Sequence, residues 1–202
     1  MSFFEGAARV PLIVSAPGRF APRRVAQSVS LVDILPTLVE LAHDGAAPAY
    51  AAPLDGRSLL PHLAGTGGHD EAIGEYLAEG AVAPLVMIRR GRHKFVHSLG
   101  DPDQLYDLAA DRDELRNLAA EDAAAPTLRA FRDECAARWD LVRLRETVVA
   151  SQRRRHLVAA ALAMGAHHSW DFQPYRDASR QFVRNHLDLD DIEAAARFPR
   201  VG

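Results

Sequence analysis

The amino-acid sequence predicts an α/β fold on three observations. An apolar, β-branched run lies near the start, at Val10 to Val14. A helical repeat of apolar residues follows it, and a series of short strand-like runs between Ala72 and Leu108 is closed by a second helical stretch. Hydrophobic residues make up 48% of the 202 and charged residues 25%, enough apolar surface for a core and too much for disorder throughout.

The run V-P-L-I-V, closed by Ala16-Pro17-Gly18, is expected to be a buried strand ending in a turn. It begins almost at once, behind Phe3-Phe4, so the chain reads as a piece of something longer. Apolar residues at helical spacing from Ser30 to Ala42 predict a helix with Ser30 as N-cap and a kink at Pro36. Residues 43–72 mix Gly, Pro, Ala and charge around Leu54-Asp55-Gly56 and the short apolar run Leu59 to Leu63; this stretch is expected to be mostly loop. Ile73 to Leu77, Leu85 to Ile88, Lys94 to His97 and Gln104 to Leu108 then alternate with turns, which predicts an antiparallel meander. Leu128, Phe131 and Cys135 at spacings of three and four predict a packing helix from Leu128 to Ala137, started by Pro126-Thr127.

Leu141 to Met164 reads as a long helix bearing Arg153-Arg154-Arg155 and ending at Gly165. Residues 166–202 hold Trp170, Phe172, Tyr175, Phe182 and Phe198 among charges, with too little periodicity for a core of their own, so this tail must dock on something. The expected divisions are 1–71, 72–140 and 141–202.

A formal charge of −3 and a pI near 6.3 provide no global attraction to nucleic acid, and no apolar run is long enough to span a bilayer. Without a leader pattern, and with Cys135 alone, the protein is expected to be cytoplasmic and free of internal disulfides. The nine histidines sit singly apart from His167-His168, a poor pattern for a metal site. The three consecutive arginines read as a solvated or subunit-facing helix edge.

Three stretches resemble the C-terminal part of type I sulfatases of the alkaline-phosphatase superfamily. F-F-E-G-A-A-R-V-P-L-I-V (Phe3 to Val14) is similar to the segment that follows the family's metal-binding Asp-His region. S-L-V-D-I-L-P-T-L-V-E-L-A (Ser30 to Ala42) is similar to a family helix, and Q-L-Y-D-L-A-A-D-R-D-E-L-R-N-L-A (Gln104 to Ala119) to a family signature, with Arg112 where proline is usual. G-E-Y-L-A-E-G-A-V-A-P-L-V (Gly74 to Val86), S-W-D-F-Q-P (Ser169 to Pro174) and R-N-H-L-D-L-D-D (Arg184 to Asp191) resemble choline-sulfatases in particular.

The resemblance implies the closing part of a sulfatase α/β domain over 1–71, then the small sheet with its helix, then an oligomerising tail that makes a homo-oligomer. It implies a parent enzyme that hydrolyses choline-O-sulfate with a formylglycine and a divalent cation, calcium or manganese. Both lie upstream of the residues present, so the chain is expected to be inactive alone and to hold no catalytic or metal-binding residue. C-A-A-R-W at Cys135 does not match the formylglycine motif, and a free cysteine on a helix reads as core.

A trimethylammonium group donates no ordinary hydrogen bond, so carboxylates and aromatic faces must hold it. The resemblance points to Glu79 and Asp190 as the carboxylates and admits Trp170 as an aromatic wall. Glu79 also reads as a solvated acid at a strand end, Asp190 as the acidic start of a last helix, and Trp170 as the anchor of a docked tail. Other readings of the chain are a non-catalytic binding module, half of a split enzyme, or part of a sulfatase or phosphonate hydrolase for another substrate.

Overall fold

In the computed structural model, which describes residues 3–78 and 80–165, the central feature is a four-stranded antiparallel meander. Its strands are β1 (Glu71–Tyr76), β2 (Leu85–Arg90), β3 (His93–Ser98) and β4 (Gln104–Asp107), hydrogen-bonded in that order as the sequence predicts. The register places Ile73, Ile88, Phe95 and Leu105 in one row across the sheet. Strand residues alternate between faces, so this row and Val86 form one apolar face. The two-residue turn between β2 and β3 needs a left-handed residue, and Gly91 takes φ 54° there without a Cβ clash.

The first face packs on helix α4 (Ala125–Arg138), whose Leu128, Phe131 and Cys135 meet Val86, Ile88, Phe95 and Leu105, with Leu141 completing the core. Phe95 and Phe131 stack with centroids 5.6 Å apart. The helix begins three residues before Leu128, because Pro126 fits the first turn, where its missing N–H has no intrahelical acceptor to lose.

The second face is covered by the start of the chain. Phe4 lies against Tyr106, ring centroids 6.0 Å apart, and the Phe3 ring lies over Gly74, where a Cβ would come within 2.6 Å of it. Met87, Lys94, Val96 and Ser98 are buried on this side. A single turn, α1 (Glu5–Ala8), follows the two aromatic residues.

Asn117 protects the free edge at β4. Its amide oxygen accepts from Leu105 N at 2.9 Å and Ala119 N at 3.0 Å, and its amide nitrogen donates to Asp103 O at 3.0 Å. A side chain thus takes a donor that would otherwise face another chain's strand. Asp107 turns the strand end through Ala109 N and pairs with Arg92.

The remaining helices are α2 (Ile34–Ala42), α3 (Leu60–Ala64) and α5 (Leu141–Ala163). Pro36 does not kink α2. Leu31–Asp33 form a 3-10 turn, so the proline falls in the first turn of the α-helix, where no intrahelical hydrogen bond is lost. The run at Leu59 to Leu63 is helical rather than loop and ends at Gly65, φ 78°. Val10 to Val14 forms no strand: residues 10–15 make no backbone hydrogen bond among the described residues, and Ile13 is 87% exposed. The buried strand expected at Val10 to Val14 is therefore not formed: Val10 is 57% exposed as well, and the four strands of the sheet pair only with one another.

The chain divides into two compact units, 1–149 and 150–202. In the second, the described part of α5 exposes Leu157, Val158 and Leu162 together with Arg153, Arg154 and Arg155.

Candidate functional site

Two buried polar clusters and one cleft organise the first unit. In the first cluster Asp33 is 3% exposed and its carboxylate accepts from Ser30 N at 2.7 Å and Arg57 N at 2.8 Å. His69 Nε2 lies 3.0 Å from the same group. Thr37 donates its hydroxyl to Asp33 O at 2.5 Å and accepts from Leu59 N at 2.8 Å. The Asp33 and Thr37 pair therefore ties α2 to the 56–60 loop. Gly56 permits the approach, because a Cβ there would collide with the Val32 carbonyl.

In the second cluster Lys94 is 1% exposed. Its ammonium donates to Phe3 O at 2.8 Å and Glu114 Oε1 at 2.8 Å and pairs with Glu5 Oε1 at 2.6 Å. Glu114 Oε2 accepts from Glu5 N at 2.6 Å. A buried ammonium is tolerated only when paired and hydrogen-bonded, and here two hydrogen bonds and two carboxylates meet it.

A cleft of about 470 Å³ is lined by His97, Arg132, Cys135, Trp139, Asp140 and Leu141 among others. Its polar groups are engaged: His97 Nδ1 lies 2.6 Å from Asp103, Arg132 Nε donates to Asp103 at 2.5 Å, and Trp139 Nε1 donates to Glu75 at 2.6 Å. Cys135 is 2% exposed, and burial, with smaller contributions from Glu134 and Asp103, pushes its thiol up from 9.0 to about 12. The thiolate is the nucleophilic form, so this cysteine is a core residue and not a reacting group. Among the described residues no group of three or more His, Cys, Asp or Glu side chains is placed to hold a metal ion.

The three site residues expected from the sequence, Glu79, Trp170 and Asp190, lie outside the described residues. Sequence reading missed the Lys94 cluster. The available signal was a lysine at an alternate position of an apolar strand, which admits a solvated reading equally well.

Residues 2–138 match the family model described as N-sulphoglucosamine sulphohydrolase, C-terminal. The chain belongs to the sulfatase family. Residues 146–198 of this sulfatase chain match a second model, choline sulfatase enzyme C terminal. It is 45% identical to the choline-sulfatase of Rhizobium meliloti over 205 residues, 99% of this chain and 39% of that protein. It is 35% identical to arylsulfatase K of Danio rerio over 130 residues, 60% of this chain and 24% of that protein. Among solved structures, the phosphonate monoester hydrolase of Agrobacterium radiobacter is 30% identical with a TM-score of 0.47, covering 57% of this chain and 25% of that one. The sulfatase chain thus spans well under half the length of the relatives it matches and corresponds to their C-terminal part. Sulfatases are sulfuric ester hydrolases.

Proposed function

We propose that this chain is the C-terminal part of a choline-sulfatase, an enzyme that hydrolyses choline-O-sulfate to choline and sulfate, and that it contributes recognition of the choline end. The observation that carries the reading is the 45% identity over 99% of the chain to a choline-sulfatase. The choline-sulfatase model over 146–198 supports it, because that stretch contains Asp190 and Trp170. Attack at sulfur belongs to the rest of the enzyme, where the resemblance puts the nucleophile and the cation.

In this reading Glu79 and Asp190 approach the quaternary ammonium from two sides, and Trp170 offers an aromatic face. A cation without ordinary hydrogen-bond donors is held by charge and by π-faces, and both strengthen as water is excluded. The exposed Leu157, Val158 and Leu162 of α5 support the further proposal that the C-terminal region assembles a homo-oligomer. Among the described residues no helix is long and apolar enough to cross a membrane, and we place the protein in the cytoplasm.

The test uses the enzyme restored to full length, with Asp190→Asn and Glu79→Gln assayed on choline sulfate and on an uncharged aryl sulfate. Losing one carboxylate of a partly desolvated pair is expected to cost roughly 2 to 4 kcal/mol, on the order of thirtyfold to a thousandfold in kcat/KM, on the cationic substrate only. Equal losses on both substrates would return the two residues to structural roles. The chain alone is expected to turn over neither ester.

A further inference from the structure

We propose that Lys94 is a positioning residue: it locks the Phe3–Glu5 turn onto the meander and so sets the direction in which Arg9–Val14 leaves the sheet. The lock itself is read from geometry. Only the role of the segment it aims, as a structural lead into the enzyme's reacting part, rests on the sulfatase reading.

The Lys94 ammonium donates to the Phe3 carbonyl and the Glu114 carboxylate, both at 2.8 Å, and forms an ion pair with the Glu5 carboxylate at 2.6 Å. The second oxygen of Glu114 takes the Glu5 N–H at 2.6 Å, which closes a ring of contacts through residues 3, 5, 94 and 114. The side chains of Lys94 and Glu114 are 1% and 3% exposed, whereas that of Glu5 is 25% exposed. Two carboxylates meet one ammonium, and Glu5 is the one that water reaches. Glu114 also holds φ 56°, a left-handed conformation that non-glycine residues rarely adopt. A glycine would take that backbone more easily but would bring no carboxylate.

The lock is separable from the core. Phe95, Leu105, Phe131 and Cys135 belong to the core cluster on the opposite face of the sheet, which includes none of Phe3, Glu5, Lys94 and Glu114. Downstream, Ala8 N and Arg9 N bond back to Phe4 O and Glu5 O at 2.9 and 3.0 Å, and after Arg9 the described chain has no backbone hydrogen bond until Ala16. The angle at which residues 10–15 depart is therefore set at the turn that Lys94 holds.

Native-state hydrogen exchange on the full 202-residue chain tests this with Lys94→Met, Lys94→Arg and Glu5→Gln. Removing a buried charged partner is expected to raise exchange at Glu5, Ala7, Ala8 and Arg9 roughly ten- to hundredfold. The amides of the β1–β2 ladder and α4 should change less than about threefold. Lys94→Arg restores charge but offers a planar fork to three converging partners, so it should not rescue protection. Glu5→Gln should give a smaller loss confined to the same amides. Should Lys94→Met abolish protection everywhere, Glu5→Gln decides alone. Loss spread evenly over turn and sheet, or unchanged exchange at Glu5, would overturn the proposal. The substrate assays on Asp190 and Glu79 do not enter these measurements, so the two readings fail independently.

Discussion

Replacing Asp33 by alanine removes the acceptor around which residues 28–70 are arranged. Its carboxylate takes two backbone N–H groups, from Ser30 and Arg57, and lies 3.0 Å from His69 Nε2, all at a site 3% exposed. Hydrogen bonds to a charged group contribute about 1.5 to 3 kcal/mol each, and deletion leaves their donors without a partner. The three share one carboxylate and do not add fully. Leaving a buried donor without its acceptor costs about 1 to 3 kcal/mol, so a loss of about 3 to 5 kcal/mol is expected for the three together. For a unit of this size, each kcal/mol moves the midpoint by about 2 to 4 °C, so a fall of roughly 6 to 20 °C follows. Urea unfolding and thermal circular dichroism of Asp33→Ala, Asp33→Asn and the parent measure it. The asparagine keeps one carbonyl oxygen and should lose less than the alanine. An Asp33→Ala variant within about 0.5 kcal/mol of the parent, the range of an ordinary surface change, would refute the reasoning.

Two further outcomes are expected. The Cys135 thiol is raised from 9.0 to about 12 by burial, so the folded state favours the protonated form: that stability is fully present below about pH 9 and is lost as pH rises toward 12. Iodoacetamide at pH 8 should therefore leave Cys135 unmodified until denaturant is added, and rapid alkylation of the folded chain would contradict the core assignment. The chain alone should self-associate, since Val10 and Ile13 are 57% and 87% exposed on a segment with no strand partner among the described residues. Sedimentation velocity should show mass rising with concentration and falling with Ile13→Lys. A monodisperse monomer at all concentrations would refute this.

The meander was legible because its cues are local. Val86, Ile88, Phe95 and Leu105 alternate within short runs, and Gly91 marks the turn between two of them. The expected kink at Pro36 fails because a proline inside a helical pattern signals a kink unless the helix begins just before it, and here the 3-10 turn closed by Ser30 and Asp33 shifts the start of the α-helix to Ile34. The Lys94 cluster was illegible for a related reason. Its partners lie 91 and 20 residues away, and a strand's alternation gives the face of a side chain without telling what covers that face. Glu79, Trp170 and Asp190 came from resemblance, which singles out positions that composition and spacing leave among many similar acids and aromatics.

The separation of the partners around Lys94 also governs the order of events during synthesis. Phe3 and Glu5 leave the ribosome long before Glu114, whose carboxylate receives the Glu5 N–H across 109 residues. At about 5 to 20 residues per second, the first turn waits roughly 5 to 20 s for the groups that hold it. Throughout that interval Val10 to Val14 emerges ahead of any structure in this chain able to anchor it. The Phe3–Glu5 turn is thus among the last parts of the first unit to be fixed, although it is among the first to be made.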